Sequence, residues 1–483
     1  MDYLVEGLNV HALMSYQDNY SRLIKWTPSL PTYTIQRNAE NPNIIDFFGG
    51  SMGGGTFESY GYSNWNKLYI EGGFDWAGTF GKHNLSALLL GKASKYTMPG
   101  DSYPVPSGIM GFVGRVTYNY DDRYMAEVNA GYNGTEQFME GKRFGFFPAV
   151  SFGWVPTAEP FFPKNDVLTF MKLRASWGRI GNLGSIGMNY KAASISSGGT
   201  DNEFNPVGLE TSQKLGTYYF LSNAVNSQLT WETSEQFDLG LDLSFFKDRL
   251  SAGFDFYNKR TFNLIQDQST GWPQTIGVSA MKVNLGEVMN RGFEMQLGWA
   301  DKVGDFNYYI NANAAYNKNW VSDIGVLNED GSKGVWTGGG SYRMIPYIYR
   351  TEEGQPLDSY YLIKCLGIFQ SMEDVYDHQK DGQLIQPNAQ PGDLKFEDFN
   401  GDGKINDGDR QYFGNAVPDW TYALTGGFDW KGFTFSMMLQ GVLGAQAAYV
   451  GKYSIYSDME QDYNKAVGIL DAWSEDNRGS NIP

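Results

Sequence analysis

Every second residue of Gln236-Phe237-Asp238-Leu239-Gly240-Leu241-Asp242-Leu243-Ser244-Phe245 is large and apolar, and its neighbours are polar or glycine. Only an extended chain gathers such residues on one face, because a helix would scatter them around its axis. A strand of this kind meets an apolar medium on one side and water on the other. The pattern returns in residues 124–132, where Tyr124, Ala126, Val128, Ala130 and Tyr132 alternate with Glu127, Asn129 and Gly131. It returns again in residues 68–76, 250–256, 306–314 and 433–439. A soluble sandwich also alternates, so period alone leaves both a soluble β protein and a membrane barrel open.

Length and turn asymmetry separate the two. Several segments exceed the usual five or six residues of soluble strands, whereas tilted membrane strands need about 9–11. Short turns are expected at Asp121-Asp122, Lys247-Asp248, Asp301 to Gly304 and Lys431-Gly432. Between them lie long connections at 21–56, 98–107, 134–146, 179–229, 266–280 and 321–418, rich in Gly, Ser, Asn, Asp and Pro. Short turns on one rim and long loops on the other mark an outer-membrane barrel with its short rim in the periplasm. The expected fold is therefore all-β, a transmembrane antiparallel β-barrel with long extracellular loops.

Counting the segments gives about thirteen spanning strands, near 8–20, 57–76, 84–97, 108–120, 123–135, 147–155, 169–178, 230–246, 249–265, 281–300, 305–320, 419–430 and 433–443. Bacterial barrels have even strand numbers, so an odd count implies missing strands or a miscount. The opening Met1-Asp2-Tyr3-Leu4-Val5-Glu6-Gly7 lacks the basic and apolar regions of a signal peptide, and Ile482-Pro483 ends without a terminal aromatic strand. A truncated chain is expected on both grounds.

Composition agrees with a β protein. Aromatic residues make up 16% of the 483 residues and charged ones only 19%, with 59 glycines. No apolar run is long enough for a transmembrane helix, and the mean hydropathy of −0.41 is what alternating strands average to. A net charge of −17 repels phosphate, which argues against a nucleic-acid partner and suits acidic loops that hold divalent cations. The single cysteine, Cys365, allows no internal disulfide, and His11, His83 and His378 are too scattered in sequence for a zinc site.

Residues 398–409 space oxygen donors as a calcium loop does. Asp398, Asn400 and Asp402 stand at positions 1, 3 and 5, Gly403 at the sharp turn of position 6, the Lys404 carbonyl at 7, Asn406 at 9 and Asp409 at 12. The last position is usually Glu, so the shorter Asp409 must approach more closely or bind through one oxygen. A solvated acidic turn uses the same residue types. Strand parity puts 321–418 outside the membrane, as an extracellular loop subdomain with the EF-hand-like loop inside it. The apolar but poorly alternating stretch 357–369 belongs to that subdomain.

Several blocks resemble the SusC/RagA family of TonB-dependent outer-membrane transporters of Bacteroidetes. They are Pro391-Gly392-Asp393-Leu394-Lys395-Phe396 with Asp409-Arg410, Gly414 and Pro418, then residues 143–154, Leu173-Arg174-Ala175-Ser176-Trp177-Gly178 with Gly181-Asn182, Leu229-Thr230-Trp231-Glu232 with Gln236-Phe237-Asp238, Asn290-Arg291-Gly292-Phe293-Glu294, and Ala472-Trp473. The resemblance implies a plugged, 22-stranded barrel, of which this chain is a fragment lacking the plug, the first strands and the last strands. It also implies a SusD-like lipoprotein lid, energy delivered by the TonB complex through the missing N-terminal part, and import of oligosaccharides or peptides across the Gram-negative outer membrane.

Lumen-facing candidates are Glu127, Asn129, Asp238, Asp242, Asp255, Asn311 and Asn313, although any one of them also suits a merely hydrated wall. The loop aromatics Trp272, Trp336, Tyr342, Tyr347 and Tyr349 are candidates for stacking on substrate, or equally for loop packing and the interfacial girdle. Structural Ca2+ is the one cofactor expected. No catalytic constellation is recognisable, and the glycine run 49–55 lacks the Lys and Ser/Thr of a phosphate loop, so an enzyme is not expected. The competing reading is a soluble or surface calcium-dependent glycan-binding or adhesion β protein.

Overall fold

The computed structural model describes residues 6–27, 33–38, 40–41, 44–49, 56–98, 106–184, 195–198, 203–204, 213–214, 218–221, 225–268, 281–325, 333–337, 348–448 and 467–483. Thirteen strands form one antiparallel sheet in chain order. They are β1 (Leu8–Thr27), β2 (Thr56–Phe80), β3 (His83–Thr97), β4 (Ser107–Tyr120), β5 (Tyr124–Thr135), β6 (Phe144–Trp154), β7 (Leu168–Asn182), β8 (Glu232–Phe245), β9 (Leu250–Phe262), β10 (Glu287–Val303), β11 (Phe306–Asp323), β12 (Trp420–Trp430) and β13 (Phe433–Leu443). Since neighbours are sequential and antiparallel, connections alternate between the two ends of the strands.

The short connections owe their geometry to residues that tolerate positive φ. Asp121 and Asp122, both at φ 54°, make the two-residue turn that the right-handed strand twist favours, closed by Arg123 N–H donating to the Tyr120 carbonyl at 2.9 Å. Lys431 and Gly432 turn at φ 45° and 89°. Strand β10 runs on to Val303, so the turn expected at 301–304 falls instead at Gly304-Asp305. The strand expected over 249–265 ends at Phe262, because Asn263 adopts φ 56°. Residues Ile265–Asp267 then pair with Lys282–Asn284 as a separate ladder.

Two compact units divide the chain. The first comprises 1–117, 129–147 and 185–194. Within it β1 pairs with β2 along its whole length, from Leu8 opposite Trp76 to Thr27 opposite Thr56, with one irregularity after Arg22. At ~3.3 Å per residue the 25-residue β2 is about 80 Å long, well beyond a bilayer core of about 30 Å even when tilted.

The second unit comprises 118–128, 148–184 and 195–483. Between β11 and β12, which are hydrogen-bonded neighbours, the described residues of 324–419 fold as a subdomain at the end of the long connections. Its four-stranded sheet joins Gly334–Thr337, Tyr349–Glu352, Ser359–Ile363 and Arg410–Tyr412. Beside it Cys365–Ile368 pairs with Leu394–Phe396, and Met372–Asp377 forms a short helix capped by the Ser371 side chain. Buried apolar side chains of the unit lie in this subdomain and at the strand ends and connections beside it. Val288, Val321 and Ile324 form one cluster, and Phe369 and Val375 are buried in the subdomain.

Candidate functional site

The strands of the second unit wear their apolar face outward. Leu239, Phe254, Phe256 and Phe293 are 46%, 39%, 42% and 42% exposed. Their polar neighbours Asp238 and Asp255 are the more covered ones. A soluble sandwich would bury those rings, because exposed contiguous apolar surface is costly in water. Aromatic rows bound the apolar zone at both ends. Near the short turns Trp299 donates to the Tyr308 hydroxyl at 3.3 Å, and Phe306, Phe428 and Phe435 stack in sequence with centroids 5.2 and 5.5 Å apart. Towards the long connections Phe293, Tyr316 and Trp420 pack with centroids 5.0–5.6 Å apart. Trp420 and Trp430, the latter opposite Phe306 in the register, end the 11-residue β12, so the rows are separated by about 33 Å along the strand, or roughly 23 Å at a tilt near 45°. That is the height of the lipid-facing band of an outer-membrane barrel.

The opposite face is polar. Arg174 stands on β7 beside Gly240 on β8 and Asp255 on β9. Its guanidinium pairs with Asp242 at 2.8 Å and Asp255 at 2.9 Å. Gly240 leaves the room for this, since a Cβ there would lie 2.5 Å from the Arg174 Cζ. Asp238 accepts from Ser176 at 3.1 Å and from Gln236 at 2.9 Å. Asn311 and Asn313 face Gly298 and Gln296 across β10 and β11 on this same face. Glu127 is half-buried on β5 beside outward-facing Val128, and Asn129 likewise. The lumen-facing candidates thus fall opposite the exposed apolar face. Arg174, which ties two of them together, was missed as a site residue, and its position between outward Leu173 and Ala175 was the available signal.

In the subdomain, Gly401 and Gly403 turn the 398–409 loop at φ 70° and 83°. Asp398 accepts from the backbone of Asp402 at 3.0 Å and of Gly403 at 2.9 Å. Asp402 accepts from the Asn406 amide at 2.7 Å, the Asn400 amide at 3.2 Å and the Lys404 N–H at 2.9 Å. These bonds, the Asn406 bond foremost, hold the Asp402 carboxyl below its ordinary range. Fully buried Asp409 accepts from Asn406 N at 2.8 Å and Asn400 N at 3.3 Å, closing the loop. Strands Leu394–Phe396 and Arg410–Tyr412 flank the loop, where an EF-hand would have two helices.

The donor set is the hard-oxygen chemistry that calcium takes, but both Asn side chains point their NH2 groups at Asp402 and must turn over to offer oxygen. Among the described residues no group of three or more His, Cys, Asp or Glu stands ready to hold an ion.

Trp336 is 40% exposed, with the Arg410 guanidinium 5.2 Å and the Arg350 guanidinium 5.8 Å from its ring centre. Tyr349 packs on Tyr360 at 4.9 Å. Both aromatics are therefore engaged within the subdomain. Trp272, Tyr342 and Tyr347 lie outside the described residues.

An outward apolar band between two aromatic rows, a polar inner face and long connections at one end with short turns at the other define an outer-membrane β-barrel of the Gram-negative type. Residues 6–473 match the family model described as TonB dependent receptor-like, beta-barrel, and the chain belongs to that family. It is 26% identical to TonB-dependent receptor P3 of Formosa agariphila over 90% of this chain and 41% of that protein. It is also 26% identical to TonB-dependent receptor SusC of Bacteroides thetaiotaomicron over 72% of this chain and 32% of that one. Among solved structures, the RagAB peptide importer in its open-open state superposes with a TM-score of 0.73 at 18% identity, over 99% of this chain and 50% of that one. The chain spans less than half the length of the curated relatives it matches. With the family known and the apolar face outward, the soluble adhesion protein is set aside.

Proposed function

We propose that this chain is the barrel portion of a TonB-dependent importer of oligosaccharides or peptides, working with a SusD-like surface lipoprotein. Energy reaches it from the TonB complex through a part of the protein outside this chain. The observation that supports this best is the folded subdomain 324–419 at the long-connection end, which offers a lid protein a structured rim above the polar inner face. The relatives named as TonB-dependent receptors support the TonB-dependent part of this reading, and the solved peptide importer the peptide cargo. The source is then a member of the Bacteroidetes, and the protein is a transporter rather than an enzyme.

Ca2+ acts as a structural clamp in this reading, held by Asp398, Asn400, Asp402, the Lys404 carbonyl, Asn406 and Asp409. It fixes the rim segment that faces the lid. Trp336 and Tyr349, together with Trp272, Tyr342 and Tyr347, are the aromatics proposed to contact substrate in this reading. Purification of the tagged full-length receptor from its native membrane tests the assignment. A stoichiometric lipoprotein and TonB-dependent uptake of either labelled oligosaccharides or labelled peptides is expected, and recovery of the receptor alone with TonB-independent uptake contradicts it.

A further inference from the structure

Arg291 on β10 and Lys318 on β11 are directly opposite each other in the strand register, and both project to the outward, lipid-facing side. Their positions lie two residues beyond Phe293 and Tyr316 of the upper aromatic row, on the side of the long connections. Like charges facing each other across a strand pair repel. Nearby cations on the same face are neutralised, Arg179 by Glu235 at 2.6 Å and Arg260 by Glu287. Among the described residues, Arg291 meets the Asn258 side-chain oxygen at 3.0 Å and the Trp320 ring at 5.7 Å, and no ion pair joins it or Lys318 to a described carboxylate. The two border a cavity of about 440 Å³ lined also by an aromatic floor of Phe256, Phe293, Tyr316 and Trp320 and by Gly354, from the connection that follows β11.

We infer that this cavity binds a phosphate group of an outer-leaflet lipid. The charge pair sits where headgroups lie, just above the membrane's apolar zone, and two adjacent cations without an ion pair among the described residues call for an anion between them. Arg291 offers its two terminal NH2 groups and Lys318 an ammonium, while the aromatic floor suits the start of an acyl chain. A soluble anion would satisfy the cations but leave that floor bare. The site is on the outer wall of the barrel, away from the inner face and the subdomain loop, so it stands or fails independently of what the receptor carries.

The test uses the full-length receptor in nanodiscs of phosphatidylcholine doped with lipid A, either diphosphorylated or dephosphorylated, with bound lipid measured by native mass spectrometry. The wild type should retain the diphosphorylated lipid, and Arg291→Gln with Lys318→Gln should weaken retention about tenfold or more, the loss expected for two charge-assisted contacts. Arg291→Lys should keep most of it. Lys318→Gln alone, at an exposed position, gives a partial loss and serves if the double variant does not fold. Excess inorganic phosphate should not displace the lipid. Equal retention of both lipids by the wild type, unchanged retention in the folded variants, or complete displacement by inorganic phosphate overturns the inference.

Discussion

Arg174 donates from Nε to Asp242 at 2.8 Å across one strand boundary, and its other nitrogens reach Asp255 on the strand beyond, at 2.9 and 3.1 Å. One guanidinium thus staples three consecutive strands, β7, β8 and β9, on the polar face, where no apolar packing joins them. Replacing Arg174 by Ala leaves two carboxylates facing each other. Because all three side chains remain about a third exposed, the expected loss is only about 1 kcal/mol. Gly240→Val should cost a comparable amount, since its side chain pushes aside the movable ends of Arg174 and Asp255, the nearest 2.5 Å from where a Cβ would stand, and so breaks the same pairs. Heat-modifiability of the refolded receptor on gels gives both midpoints, and a wild-type midpoint for Gly240→Val contradicts the packing described.

The loop at 398–409 should lose calcium uptake when Asp398 and Asp402 are both changed to Asn. Titration calorimetry on the full-length receptor measures the uptake, and protease sensitivity of the 391–418 segment should rise in parallel. The two carboxylates also order the loop without any ion, each by accepting backbone N–H groups. The double variant should therefore be more protease-sensitive than the wild type even in chelator. Calcium uptake that ignores the substitutions contradicts the clamp.

Acid should loosen the subdomain. Lys395, hydrogen-bonded to Asp374 at 2.7 Å, holds that carboxyl below its ordinary range, and burial pushes the His378 imidazole down. Both groups have folded values below their unfolded ones, so the unfolded segment binds more protons as pH falls and stability declines. The His378 contribution fades as pH drops below about 6.5, and the Asp374 contribution only below about pH 4. Hydrogen exchange of peptides from 365–396, corrected for intrinsic rate, should show two steps. His378→Phe should remove the upper one and Asp374→Asn the lower.

Much of the fold was legible because a strand between oil and water must alternate, and these strands do so over 11 residues or more. The ends were less legible. Asn263 breaks β9 by adopting positive φ, a choice that its residue type permits but does not require. Residues such as Asp242 and Asp255 could be put on the polar face by counting alone, whereas their partner Arg174 came from a strand far away in sequence. The calcium spacing could be read directly, but not that strands rather than helices flank it, since the loop residues are alike in both settings. Trp336 shows the limit for aromatics, because only the fold reveals Arg350 and Arg410 beside its ring.

Cys365 offers the most direct test of the central claim, that 324–419 is the outer rim of an outer-membrane barrel. It is exposed in that subdomain and is the single cysteine of this sequence. A maleimide carried on a polymer too large for porins should label the receptor on intact cells, and Cys365→Ser should abolish the labelling. In that background, Lys431→Cys in the short turn between β12 and β13 should react only after the outer membrane is opened. Labelling of Lys431→Cys on intact cells, with Cys365 protected until permeabilisation, would contradict the account.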